Sequence, residues 1–148
     1  MAGCGYSNTA LIPRNIKTVA VPILQNDTFY RGYESELTRA LAEEIERKTH
    51  LKVVEKDRAD TLLTGRITDV YERALVEDRA DQTIEKQITI VLDFRWEDLR
   101  SGEVLKSRND FRQTAEYIIA AGETMVTARR EALGDLAELI VEQMESGW

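Results

Sequence analysis

The stretch that most limits what this chain can become runs from Thr83 to Glu97, T-I-E-K-Q-I-T-I-V-L-D-F-R-W-E. Ile84, Ile88, Ile90, Leu92, Phe94 and Trp96 hold its even positions, interrupted only by Lys86, while its odd positions are polar apart from Val91. Alternation with period two over so long a run, rich in β-branched and aromatic residues, specifies a strand with one apolar and one polar face. Antiparallel sheets commonly leave one face to water, whereas parallel sheets are covered on both. The remaining chain is therefore expected to supply helices for one side and to leave the other free to meet a partner.

The flanking segments fit that demand. Ile16 to Ile23 reads as a first strand with an apolar centre at Val19, Ala20 and Val21, closed by Pro22, which cannot donate to a ladder. Leu24 to Arg31 reads as a polar turn. A first helix is expected from Gly32 or Tyr33 to about Thr49, because Tyr33, Leu37, Ala40, Leu41 and Ile45 form one stripe and charged residues cover the other faces. Leu51 to Val54 follows as a short strand, so strand, helix and strand make a right-handed parallel crossover. Thr61 to Arg73 alternates less cleanly, with Leu63, Gly65, Ile67 and Tyr71 on one parity and Val70 breaking it, which places a bulge near Asp69. Arg79 to Gln82 turns the chain into the central strand. Leu99 to Glu103 makes a second hairpin around Gly102, and Val104 to Gln113 is the last strand, with Lys106, Arg108, Asp110 and Arg112 expected on the face away from the core.

A second helix is expected from about Glu123 to Glu145, where Met125, Ala128, Ala132, Leu133, Leu136, Leu139, Ile140, Gln143 and Met144 keep helical spacing. Gly134 is read there as a point of close approach to the sheet. The fold class is α+β, a two-layer sandwich of order β-α-β-β-β-β-α, with two helices on one face of a mixed, mostly antiparallel sheet. Residues 1–15 read as a tether and 16–148 as one domain, a length at which a single core suffices.

Chemistry is sparse. The chain has one histidine and one cysteine, from which no recognisable zinc site assembles, and no nucleophile elbow or phosphate-binding loop occurs. His50, at the end of the first helix, reads as a surface cap. No catalytic residue, metal or cofactor is expected. Lys and Arg number 20 against 27 Asp and Glu, for a net charge of -7, which argues against a general nucleic-acid binder. No run approaches the roughly 18 apolar residues of a transmembrane helix.

The single cysteine, Cys4, ends the tripeptide Ala2-Gly3-Cys4. That is the end of a bacterial lipoprotein signal, although Met1 stands where leucine is usual and no charged start or apolar stretch precedes it. The sequence is read as beginning just before the cleavage site. Residues alone leave open both a lipidated cysteine and an incidental one in a frayed tail.

Four features together resemble the LptE family of lipopolysaccharide-assembly lipoproteins: Cys4-Gly5-Tyr6; the strand I-K-T-V-A-V-P followed by N-D-T; the helix core E-x-x-L-T-x-A-L; and A-D-x-x-L-x-G-x-I from Ala59 to Ile67. The resemblance implies a non-enzymatic protein anchored through acylated Cys4 to the periplasmic face of the outer membrane. It implies an LptD-like β-barrel as partner and lipopolysaccharide as ligand. The other reading is a periplasmic adaptor of a different envelope machine, such as a curli-secretion or Tol-like component, whose domains also begin with a V-A-V-P-like strand.

On the parity opposite the core the sequence places Arg66, Arg95, Lys106, Arg108 and Arg112 with Glu72, Glu85, Asp93, Glu97 and Asp110. These ten can form exposed cross-strand ion pairs and nothing more. Alternatively Arg95, Lys106 and Arg108 gather into a basic patch able to hold the phosphates of a lipid A head group.

Overall fold

The computed structural model describes residues 12–77 and 83–146. Cys4 and the turn from Arg79 to Gln82 lie outside them. Six strands form one sheet: β1 Thr18–Ala20, β2 Gln25–Asn26, β3 Lys52–Val53, β4 Thr61–Glu77, β5 Thr83–Asp98 and β6 Val104–Ile118. Helices α1, Tyr33–Lys48, and α2, Met125–Glu145, pack on one side of it. The order across the sheet is β3-β1-β4-β5-β6, with β2 also paired to β4. β1 runs parallel to β3 and β4, whereas β4, β5 and β6 are a long antiparallel meander. The expected two-layer α+β architecture is present.

The central strand sets the core as its alternation requires. Ile88, Ile90, Leu92, Phe94 and Trp96 are buried together with Tyr33, Leu37, Leu41 and Ile45 of α1 and Leu133, Leu136, Ile140 and Met144 of α2. Packing begins ahead of β1, because Ile12 and Ile16 are both part of this core.

The first strand is shorter than its apolar run, ending two residues before Pro22. The segment read as a turn then rejoins the sheet as β2, with Gln25 opposite Arg66 and Asn26 opposite Ile67. Asn26 holds the loop that follows: its Oδ1 accepts from Thr28 N–H and Oγ1, and its Nδ2 donates to Tyr30 O and Glu34 Oε1. The bond from Asn26 Nδ2, above all, keeps the Glu34 carboxyl below its usual pKa.

At the other end of α1, Thr49 caps the helix and its Oγ1 donates to Ile45 O at 2.7 Å. His50 reaches Ile16 O through Nε2 at 2.7 Å, tying that end to the segment before β1. The β5–β6 turn closes as expected, with Gly102 at φ 78° and its N–H donating to Asp98 O. The sequence-based expectation for Gly134 does not hold. A Cβ there would meet nothing within 4 Å. The close approach is at Gly65, where a Cβ would lie 3.0 Å from Leu24 Cδ2.

Candidate functional site

Of the five register shifts among the described residues of the meander, the one after Ile67 in β4 and the one between Arg108 and Phe111 in β6 decide where the candidate site residues face. In β4 the register slips between Ile67 and Asp69, where the sequence places a bulge. Before it Leu63 and Ile67 stand opposite Trp96 and Leu92; beyond it Val70 and Glu72 stand opposite Ile90 and Ile88. Tyr71 therefore turns to the other face and is half exposed. Glu72, expected on that other face, lies on the helix side. There Lys86 Nζ is 3.0 Å from Glu72 Oε1 and Tyr117 Oη donates to Oε2 at 3.3 Å. This accounts for the one cation in the apolar parity of β5. Its bond to Glu72 raises the Lys86 pKa, while burial first and the Glu72 charge second raise that of Tyr117.

The second bulge is in β6. Leu92 stands opposite Phe111 but Phe94 stands opposite Arg108, so β6 spends one residue more than β5. Within that interval Asp110 adopts φ 56° and its N–H donates to Asp93 Oδ1 at 2.9 Å. One inserted residue reverses the facing of everything beyond it, because side chains alternate with period two.

The consequence is a correction to the expected basic patch. Lys106 and Arg108 stand opposite Trp96 and Phe94 and so belong to the helix side of the sheet. Arg108 Nη1 donates to Gln143 Oε1 of α2 at 3.1 Å, and its guanidinium carbon lies 5.2 Å from the centre of the Phe111 ring. Arg95, opposite Thr64 and Ser107, lies on the open face. The three cations are divided between two faces and do not form one cluster.

What the open face does assemble is a shallow groove of about 630 Å³. Thr64, Arg66, Asp93 and Arg95 line it from β4 and β5, Ser107 and Asn109 from β6, and Pro22 and Ile23 from the loop between β1 and β2. Ile23 is 68 % exposed there. Arg66 Nε is 3.5 Å from Asp27 Oδ2 and Arg95 Nη2 is 3.5 Å from Glu97 Oε2, each arginine more than half exposed. Pairs so open contribute little stability, so exchanging either carboxylate for another anion costs little. Sequence reasoning missed the wall of this groove. Its signal was Pro22, which has no N–H to donate to a ladder and stands two residues past the end of β1, just ahead of Ile23.

The protein is thus a two-layer α+β module with one helix-covered face and one grooved, polar-lined face. A family model, LptE, described as lipopolysaccharide-assembly, matches residues 16–146, and the chain belongs to that family. Among curated proteins none matches the sequence. Solved structures share the fold. Uncharacterized lipoprotein B from Nitrosomonas europaea is 16 % identical with a TM-score of 0.62, over 93 % of this chain and 86 % of that one. A PelC dodecamer from Paraburkholderia phytofirmans is 13 % identical with a TM-score of 0.58, over 93 % of each chain. A putative lipoprotein from Caulobacter crescentus is 13 % identical with a TM-score of 0.55, over 82 % of this chain and 87 % of that one.

Proposed function

We propose that this protein is an outer-membrane lipoprotein, acylated at Cys4, that partners an LptD-like β-barrel and assists lipopolysaccharide assembly at the cell surface. The observation that carries the reading is the family match across residues 16–146. The geometry supports it in one respect: both helices lie on one side of the β4–β5–β6 meander, and the other side carries a polar-lined groove. In this reading the open face meets the barrel or its cargo, and Arg95, together with Arg66 in the same groove, contacts glycolipid phosphate. Arginine suits that role because its planar donors bind a phosphate bidentately. Lys106 and Arg108 then offer a second, separate contact on the helix side. Several acyl chains on Cys4 make the anchoring stable, since one chain holds a membrane only marginally.

The test is affinity capture of the full-length lipoprotein from outer membranes. A large β-barrel of the LptD type is expected in the eluate, and Cys4→Ser is expected to move the protein to the soluble periplasmic fraction. Recovery with a different envelope complex and no such barrel would overturn the assignment.

A further inference from the structure

Among the described residues, β6 pairs with β5 on one side and with nothing on the other, so it ends the sheet. An edge strand presents a row of unpaired N–H and C=O groups, and proteins blunt such edges with bulges, lysines, prolines and strained positions. The first part of β6 is blunted in this way: it holds Lys106 and Arg108, the bulge, and Asp110 at φ 56°. The second part is not. From Phe111 to Tyr117 the pairing with β5 is regular from Leu92 back to Lys86, without a bulge, lysine or proline, and at Ile118 the edge is closed by Glu123, whose Oε1 accepts the Ile118 N–H at 2.8 Å and whose N–H donates to Ile118 O at 3.2 Å.

The sequence of this second part is complementary to itself. If two copies meet antiparallel about Thr114, Arg112 of each stands opposite Glu116 of the other, and the two Thr114 residues stand opposite each other. On the helix side, each Phe111 stands opposite the other copy's Tyr117. Opposite charges, threonine pairs and aromatic pairs are the cross-strand combinations that stabilise antiparallel strands. The registers centred one residue away lose this match: centring on Gln113 sets Asp110 against Glu116, and centring on Ala115 sets Arg112 against Ile118. Arg112 and Glu116 are both exposed on the open face, and Thr114 already bonds Thr89 of β5, Oγ1 to Oγ1, at 2.9 Å.

We propose that residues 111–117 of β6 form a symmetric docking edge for a second copy of this chain, joining two sheets into one across a two-fold axis at Thr114. Such a contact is isologous, each partner using the same patch, which is the commonest way for identical chains to pair. The axis stands perpendicular to the sheet, so both open faces end up on the same side and form one surface. The inference goes beyond the assembly role proposed above and does not depend on it.

Charge exchange tests it. The full chain in a Cys4→Ser background is expected to sediment as a concentration-dependent dimer whose affinity falls with salt. Arg112→Glu and Glu116→Arg should each weaken dimerisation by about tenfold, since each places two like-charged pairs across the seam. The double variant should restore it, because the exchanged charges are again opposite. Circular dichroism and the thermal midpoint control for folding, and both sites are exposed. Thr114→Cys in the same background should oxidise to a covalent dimer, whereas Thr89→Cys, one strand further in, should not. A wild type that stays monomeric at every concentration up to roughly millimolar overturns the proposal. So does a double variant no tighter than the single ones, or equal cross-linking through Thr89→Cys and Thr114→Cys.

Discussion

Arg129 of α2 donates from Nε to Glu36 Oε1 of α1 at 2.8 Å, and the same guanidinium lies 5.1 Å from the centre of the buried Tyr33 ring. One side chain thus ties the two helices together above the core that both cover. Both partners of the ion pair are largely screened from water, at 26 % and 22 % side-chain exposure. Burial raises the Tyr33 pKa, and the nearby Arg129 charge opposes that rise.

Arg129→Ala is therefore expected to cost about 1 to 2 kcal/mol, the sum of one partly buried ion pair and one cation–π contact. Urea denaturation of Arg129→Ala, Glu36→Ala and the double variant measures the coupling. An additive double variant would show that the two side chains do not communicate.

Asp60 supplies a pH-dependent latch between β1 and β4. Its Oδ2 accepts the backbone N–H of Lys17 at 2.8 Å and of Thr18 at 3.2 Å, and its own N–H donates to Thr18 Oγ1 at 2.8 Å. The Lys17 bond, above all, holds the Asp60 carboxyl below its usual pKa, and the Arg100 N–H does the same for Asp98. A carboxyl lowered on folding contributes stability that is complete above its unfolded value, about 3.9, and is lost as the pH falls through the folded value beneath it. Asp60→Asn is expected to cost about 1 kcal/mol at neutral pH, as a charge-assisted bond becomes a neutral one. That deficit should shrink in denaturation series taken from pH 6 down to about 2. A deficit that stays constant over the range would remove the carboxylate from the explanation.

Ile90 and Leu92 are fully buried between the helices and the sheet. Replacing either by Ala is expected to cost about 2 to 5 kcal/mol, the usual range for a large apolar side chain in a packed core. Losses under about half a kcal/mol at both sites would mean that the helices cover the other face.

The covered face could be read from sequence because alternation in β5 is nearly unbroken and the helical stripes are wide. The slip near Asp69 was legible too, since Val70 conflicts with the parity of Leu63 and Ile67. The bulge in β6 was not. Leu105, Ser107, Asn109 and Phe111 share one parity along the strand, but Ser107 stands opposite Arg95 on the open face while Leu105 and Phe111 pack against the core, and the polar residues between them give alternation nothing to count. Arg108 could be mistaken for an open-face cation because its long side chain lies along Phe111 while its head reaches Gln143. β2 escaped notice for another reason. Gln25 and Asn26 are two polar residues held in the sheet by β4, a tertiary pairing with no local pattern behind it.

Asp110 is where that hidden geometry can be tested. It is the non-glycine residue with positive φ among those described, at 56°, and a left-handed backbone costs an ordinary L-residue about 1 to 2 kcal/mol. Aspartate tolerates the region better than most, and glycine carries no Cβ penalty there. Asp110→Gly is therefore expected to hold or raise stability by up to about 1 kcal/mol, partly offset by the greater freedom of the unfolded glycine chain. Asp110→Val should lower it by about 1 to 2 kcal/mol, because a β-branched side chain is least compatible with that backbone. The N–H bond to Asp93 Oδ1 is made by the backbone and survives both changes, so the difference isolates the conformation. Urea titration with an unchanged slope is the measurement. If valine is tolerated as well as glycine, the chain is not left-handed at Asp110, the bulge is not where the register places it, and Lys106 and Arg108 return to the face that carries Arg95.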